Sequence, residues 1–459
     1  MNSYNLVSGS YFNGNDESNG KANPGTMNHI GNNLQVAVES YYTATANIKN
    51  LRAQLTDDIE TDVTIVGGGY SGLSTAIALA EKGLKVCVLE AEVIGFGASG
   101  RNGGQIINGL NAELGKIERQ FGRPISDFVS GLMQEGGKII RDRIARYGIS
   151  CDLRDGNIFV ATTKRHLKDL EEKKKIWNKA GNNSLEMLDA SQVREHVGSE
   201  FYCGGMIDHS GGHIHPLNLA LGEADAIEQL GGLIFELSPV RRVEKCDGKH
   251  VIYTDRGCVR SNFLVLCGNA YMRGVKPELE NRILPVSTQI VTTEPLPEDV
   301  AKQILPTNKC IEDTRYILDY YRLTGDNRLL FGGGTVYGGV DPQDIRSKLW
   351  PNIMKVFPQL EGVKLDYAWS GNFALSFSRV PQMGRTADGA YFAHGYSGHG
   401  VTGSHLFGKI IAEAITGDTT RYDIFAGLPY LPFPGGRALR IPYSIAGSWW
   451  YMLKDRIGI

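Results

Sequence analysis

Gly67, Gly69 and Gly72 stand at GxGxxG spacing directly after the β-branched run Asp62-Val63-Thr64-Ile65-Val66. The first glycine permits a tight turn, the second lets backbone approach a pyrophosphate, and the third lets the following helix pack closely on the strand. A pyrophosphate at this turn faces free N–H groups and the positive end of the helix dipole, with Tyr70 and Ser71 in the first helical turn. Glu90 ends the next strand, 23 residues after Gly67, where a carboxylate accepts hydrogen bonds from ribose hydroxyls and disfavours a 2′-phosphate. Alone, such glycines also suit an ordinary turn; here strand, helix and acid fit within about 30 residues, the size of a βαβ unit. The chemistry expected is dinucleotide binding, with NAD and FAD both open to it.

Two further glycine-rich segments favour a flavin. After Glu90 comes Gly95-Phe96-Gly97-Ala98-Ser99-Gly100-Arg101-Asn102-Gly103-Gly104-Gln105, a long small-residue loop where a nicotinamide enzyme normally continues with a helix. Backbone of this kind can lie against a flat ring system, and Ala98, Ser99, Arg101, Asn102, Gly103, Gly104 and Gln105 are expected cofactor contacts. Near the other end of the chain, Gly395-Tyr396-Ser397-Gly398-His399-Gly400-Val401-Thr402 follows an apolar strand and opens a helix running to about Thr416. A helix N-terminus there would stabilise the negative charge of a reduced isoalloxazine at N1 and O2, through Gly398, Gly400, Val401 and Thr402. His399 joins the catalytic candidates by position rather than by titration. Val240, and Gly268 at the end of the strand Phe263–Cys267, complete the expected cofactor contacts.

Together the Gly67 fingerprint, the GASGRNGGQ loop and the Gly395–Gly400 segment resemble the D-amino-acid oxidase, glycine oxidase and sarcosine oxidase superfamily of FAD enzymes. More narrowly, Ser40-Tyr41-Tyr42, the same loop, Pro434-Gly435-Gly436 and the tail Trp449-Trp450-Tyr451 to Asp455-Arg456 resemble its bacterial gamma-glutamylputrescine oxidase branch. The resemblance implies hydride transfer from the carbon next to nitrogen to flavin N5, giving an imine that water hydrolyses to aldehyde and ammonia. It also implies reoxidation by oxygen with release of hydrogen peroxide, or by another electron acceptor.

The chain departs from that pattern in ways that bear on substrate. Amino-acid oxidases of the superfamily often carry an arginine eight residues before a Pro-x-x-Gly turn; here Phe373 stands eight residues before Pro381-Gln382-Met383-Gly384. Arg322, after Tyr320 and Tyr321, is an alternative clamp for a more distant carboxylate, with the tyrosines flanking an apolar amine chain; a surface role for it is equally open. Thr402 occupies the position where sarcosine oxidases carry lysine, and no cysteine lies in that loop, which favours noncovalent FAD. Cys310 is the residue most in need of checking. His209, His213 and His215 are close in sequence, but no metal site is expected of them.

The elements that must position these residues follow from the rest of the chain. Its 459 residues, 57 of them glycine, with 50 acidic and 48 basic side chains, exclude a single small module and offer no basic stripe for nucleic acid. Seven scattered cysteines without a CxxC pair suit reduced thiols in the cytoplasm, and no stretch is apolar enough to span a membrane. The expected fold is α/β with α+β: a discontinuous Rossmann-like FAD-binding domain (34–110, 206–285 and 366–459) interleaved with an antiparallel-sheet substrate domain (111–205 and 286–365). Residues 1–33, rich in Asn, Gly and Ser, are expected to form a disordered leader, followed by a mixed helical stretch to about Leu55. Two other readings stay open: an FAD dehydrogenase or oxidase of another amine or of a cyclic amino acid such as pipecolate, and a flavin-bearing partner or maturation protein without small-molecule turnover.

Overall fold

The computed structural model describes residues 39–457 apart from 49, 273, 341 and 342, so the expected leader at 1–33 lies outside the described residues. The β-branched strand Ile59–Val66 pairs in parallel with Val86–Leu89 on one side and Cys258–Leu266 on the other. Its central residues are buried, as a parallel strand covered on both faces requires. Tyr391–His394 and Leu233–Phe235 extend this sheet in parallel, and an antiparallel strand, Gln382–Arg385, closes one edge. The helix Tyr70–Ala80 starts from the fingerprint turn and is buried along its whole length. A second, nine-stranded sheet runs Leu365–Ser376, Ile283–Thr293, Leu329–Tyr337, Tyr320–Leu323, Cys310–Asp313, Arg154–Ala161, Gly204–His213 and Gln105–Ile106, with Leu185–Asp189 beside Gly204–His213. It is antiparallel except where Cys310–Asp313 meets Arg154–Ala161.

These two sheets match the expected fold class, and their membership differs from the expected segment boundaries. Gln105–Ile106, Gly204–His213 and Leu365–Ser376 all belong to the second sheet, although most of these residues fall in segments assigned above to the FAD-binding domain. The glycine-rich loop itself carries the chain from one sheet into the other, because Gln105 pairs with His213. Among its described residues the stretch expected to be helical to Leu55 is helical only at Tyr41–Ala44, capped by Ser40. Beyond it, backbone N–H groups bond to the body instead: Asn47 to Asn218 Oδ1, Arg52 to Glu236 Oε2 and Leu55 to Ser238 Oγ. Amides satisfied by tertiary partners have no need of helix formation. Among the described residues no helix is long and apolar enough to cross a membrane.

Two helices that start in the glycine-rich motifs are fastened to each other. Gly408 of the helix Gly400–Ile415 lies against Ser74 of Tyr70–Ala80, where a Cβ would stand 2.7 Å from Ser74 Cβ. Ser74 Oγ donates to His405 O at 2.8 Å. The buried Glu223, from Pro216–Gln229, accepts from His405 Nε2 at 3.0 Å and from Arg143 Nη1 at 2.9 Å, while Arg143 Nη2 donates to Ser74 O. Burial opposes the charge on Glu223, but His405 and Arg143 outweigh it and hold the carboxyl below its usual range. Glu223→Ala is expected to leave Arg143 buried without its carboxylate partner and to cost about 3–5 kcal/mol, read as a lower urea midpoint. An unchanged midpoint would remove this network from the account of the fold.

Candidate active site

A cavity of about 1270 Å³ is lined from both sheets and from the first turns of both fastened helices. At one end stand Glu90, Pro239, Val240 and Arg241. Glu90 is half-buried; its Oε2 accepts the Gly68 N–H at 2.6 Å and its Oε1 the Glu92 N–H at 2.9 Å. Burial pushes its carboxyl up from the ordinary range. Gly67, Gly69, Tyr70, Ser71, Ala98, Ser99 and Gly268 line the middle. The side chains of Tyr70 and Ser71 are engaged elsewhere, Tyr70 donating to Pro216 O and Ser71 sharing a hydrogen bond with Tyr396 Oη. Gly72 does not line the cavity: a Cβ there would meet Gly67 O at 2.0 Å, so its function is close packing of helix on strand.

The glycine-rich loop presents Arg101, Asn102, Gly103 and Gln105 to the cavity and is braced from behind. Asn102 Nδ2 donates to Ala98 O and Ser99 O, and its Oδ1 accepts the Gly104 N–H at 2.7 Å. Trp369 Nε1 donates to Arg101 O, Tyr42 Oη to Asn102 O, and Gln105 Nε2 to Ile311 O. Arg101 lays its guanidinium 4.5 Å over the Phe96 ring. Gly104 stands outside the cavity lining, against Ile214 O, where a Cβ would approach to 2.2 Å.

Arg322 is the principal correction to the sequence reading. It is buried and does not line the cavity; Nε donates to Gly103 O at 2.7 Å, Nη1 to Leu323 O at 3.0 Å and Nη2 to Tyr42 Oη at 3.1 Å. Its donors hold the glycine-rich loop, which covers it, so it cannot grip a carboxylate. Tyr320, two residues earlier on the same face, does line the cavity, whereas Tyr321 points to the opposite face and stacks on Phe331 at 5.4 Å. Phe373 lines the cavity as well.

Gly398, His399, Gly400, Val401 and Thr402 line the cavity at the start of the helix Gly400–Ile415. His399 Nδ1 is buried and has no hydrogen-bond partner among the described residues. Burial, with Lys173 adding to it, pulls this imidazole down to about 4, so the ring is neutral near pH 7. The other histidines separate: His213 Nε2 donates to Asn308 O, His215 Nδ1 accepts the Asn218 N–H, and His209 pairs with Glu186 at the surface. Among the described residues no group of three His, Cys, Asp or Glu side chains could hold a metal.

Several cavity residues have no counterpart in the sequence reading. Glu312 is buried beside Tyr320, and the loop between them contributes Arg315 to Leu318. That loop is tied by Arg315 to Asp313 and Asp319. Arg379 also lines the cavity, in a left-handed backbone conformation (φ +67°) unusual for a side-chain-bearing residue, with Nη2 3.4 Å from Tyr316 Oη. Lys116 is a second cation there, pulled down by burial and then by neighbouring Arg379.

With this geometry in place, residues 62–414 match the DAO family of FAD dependent oxidoreductases. The chain belongs to that family. It is 51% identical to gamma-glutamylputrescine oxidoreductase of Escherichia coli K12 over 421 residues, 92% of this chain and 99% of that one. It is 39% identical to a probable oxidoreductase OrdL of Haemophilus influenzae, over 92% of this chain and 98% of that one. Among solved structures, glycine oxidase from Geobacillus kaustophilus superposes with a TM-score of 0.64 at 23% identity, covering 78% of this chain and 95% of that one. L-Proline dehydrogenase from P. horikoshii superposes at 0.66 and 20% identity, covering 80% and 98%.

The cavity of this family member fits FAD. A Cβ on Gly69 would meet Ser99 Oγ at 2.9 Å, crowding the hydroxyl that accepts the Tyr70 N–H at the helix N-terminus. Glu90 contributes a cavity-lining carboxylate of the kind that accepts hydrogen bonds from ribose hydroxyls, and His399 Nδ1 supplies a buried polar atom in need of a partner. Of the seven cysteines only Cys267 lines the cavity, and burial raises its thiol to about 12. Cys310 is outside, its thiol turned to Asn157 Oδ1 at 3.0 Å. Acid precipitation is therefore expected to release FAD into the supernatant; yellow colour kept in the pellet would refute noncovalent binding. Sulfite is expected to bleach the visible flavin band by forming an N5 adduct, and His399→Asn to weaken that adduct only a few-fold, about 1 kcal/mol or less, because backbone donors and helix dipole carry the effect. Complete loss of sulfite reactivity in His399→Asn would assign the effect to the imidazole.

Proposed function

We propose that this enzyme oxidises the C–N bond at the free amine end of gamma-glutamylputrescine or a close analogue, giving imine, then aldehyde and ammonia, with oxygen reduced to hydrogen peroxide. The observation that carries this reading is the 51% identity to the E. coli enzyme across 99% of that enzyme's length. FAD, when bound, supplies the two-electron acceptor for hydride leaving the carbon next to nitrogen. The chain's own residues orient the amine and exclude water: Phe373 and Tyr337 give the cavity apolar wall, and Tyr320 stands over the glycine-rich loop, so close that a Cβ on Gly103 would fall 2.5 Å from its ring.

Phe373 leaves no guanidinium at the usual place of an α-carboxylate clamp, which disfavours glycine, sarcosine and D-alanine. A carboxylate farther along a long substrate instead meets Arg379 and Lys116, two neighbouring cations on the cavity wall. With Arg322 committed to the loop, Arg379 takes over the role of remote clamp in this reading.

Oxygen uptake and peroxide release, each with a parallel dye-reduction assay, are expected to be far faster with gamma-glutamylputrescine than with glycine, sarcosine or D-alanine. Dye reduction without oxygen uptake would exclude oxygen as acceptor. Arg379→Ala is expected to lower kcat/KM for gamma-glutamylputrescine ten- to a hundredfold, about 1.5–3 kcal/mol, and to spare putrescine, which has no carboxylate. Arg322→Ala is expected to impair both amines alike, through loss of the loop and of bound FAD. Brisk turnover of glycine with none of gamma-glutamylputrescine would overturn the substrate assignment.

A further inference from the structure

Glu312 is a carboxylate that the packing does not explain. It belongs to the short strand Cys310–Asp313, whose neighbour Ile311 is fully buried in the apolar core on the other face. Strand alternation turns Glu312 the opposite way, and it lines the cavity directly across from Tyr320 in the antiparallel register. Gln105 of the glycine-rich loop bonds to the carbonyl of Ile311, which fixes this strand against the loop where both line the cavity. The side chain is buried, yet among the described residues no hydrogen bond or ion pair reaches its carboxylate. Buried carboxylates without partners are costly, and one that opens on a substrate cavity is explained by a partner that arrives with the substrate.

The surrounding charges define what that partner is. Lys173 is the cation that acts on Glu312, but it sits 4.0 Å over the Phe159 ring and 4.9 Å over the Trp177 ring rather than in contact with the carboxylate. Phe159 is the parallel-register neighbour of Glu312, so the lysine lies across the next strand. Asp313 adjoins it on its own strand, already committed to Arg315. Tyr320 faces it from the other side, its phenol pushed up by burial and kept neutral near pH 7. His399, neutral as shown above, completes the cavity wall. A neutral or anionic ligand gains nothing from this arrangement; a primary ammonium matches it.

We propose that Glu312 is the residue that binds the substrate ammonium and takes its proton before oxidation. The inference rests on the amine-oxidising function proposed above. In this step an N–H bond of R–CH2–NH3+ breaks, the proton passes to a carboxylate oxygen of Glu312, and R–CH2–NH2 keeps the nitrogen lone pair. That lone pair then stabilises the cationic imine as hydride leaves the adjacent carbon for the family's flavin; the two electrons go with the hydride, and the proton stays on Glu312. Burial, opposed by Lys173 and reinforced by Asp313, raises this carboxyl to about 7, which suits proton exchange near neutral pH.

The test uses FAD-loaded protein in wild-type, Glu312→Gln and Glu312→Asp forms, with flavin content measured to show that each has folded. Calorimetric titration with tert-butylamine, a cation with no hydrogen on the carbon next to nitrogen, reads binding without turnover. Glu312→Gln is expected to weaken that binding ten- to a hundredfold, with Glu312→Asp recovering part of it. In turnover with gamma-glutamylputrescine, the acidic limb of kcat/KM near pH 7 is expected to vanish in Glu312→Gln and to persist, displaced, in Glu312→Asp. Unchanged tert-butylamine affinity, absence of measurable tert-butylamine binding to wild type, or a retained acidic limb in Glu312→Gln would overturn the role of Glu312. If wild type binds tert-butylamine through Glu312 but fails to oxidise gamma-glutamylputrescine, the substrate reading falls and the ammonium site stands.

Discussion

The active site depends on holding two helix N-termini, from opposite ends of the chain, in one cavity. Tyr70–Ala80 and Gly400–Ile415 both start at glycine-rich turns that line it, and their separation is set by Gly408 against Ser74 and by the buried carboxylate of Glu223. The helix dipoles and free N–H groups at those termini are fixed partial charges, useful to an anionic cofactor only when their positions are fixed too. Glu223 brings Arg143 and His405 to one point and thereby ties the helices to the strand-helix framework behind them. The motifs supply the donors, and a buried polar network one turn along the same helices supplies the geometry.

A second constraint concerns the loop that carries the chain between the sheets. Backbone lying against a flat ring must be flat itself, and glycine-rich backbone is not intrinsically ordered. Arg322, Tyr42 and Trp369 provide the order from behind, each donating to a loop carbonyl or to a partner that does. This explains why an arginine beside the cavity is unavailable to substrate. It also explains the position of Tyr41-Tyr42, brought in by a single helical turn that the sequence marks only by its Ser40 cap.

The cavity wall carries charges of both signs. Arg379 and Lys116 lie near one another, and Glu312 stands with Tyr320 where Gln105 joins the glycine-rich loop to the second sheet. The flavin chemistry belongs to the family.

The sequence by itself determined the cofactor region, because its requirements are local. Gly67, Gly69, Gly72 and Glu90 lie within one βαβ unit, and each is demanded by a turn, a close approach or a strand end that neighbouring residues already specify. The same holds for Gly395 to Thr402, where strand, turn and helix follow in order. The tertiary structure decided the substrate region. Strand alternation places Tyr320 and Arg322 on one face and Tyr321 on the other, but only the fold shows that the glycine-rich loop covers Arg322 and leaves Tyr320 open. Glu312 and Arg379 carry no motif; their meaning comes from burial and from neighbours such as Phe159 and Tyr316, far away along the chain. A backbone conformation can be encoded by the few residues that adopt it, whereas the electrostatic environment of a side chain is the sum over every segment that folds around it.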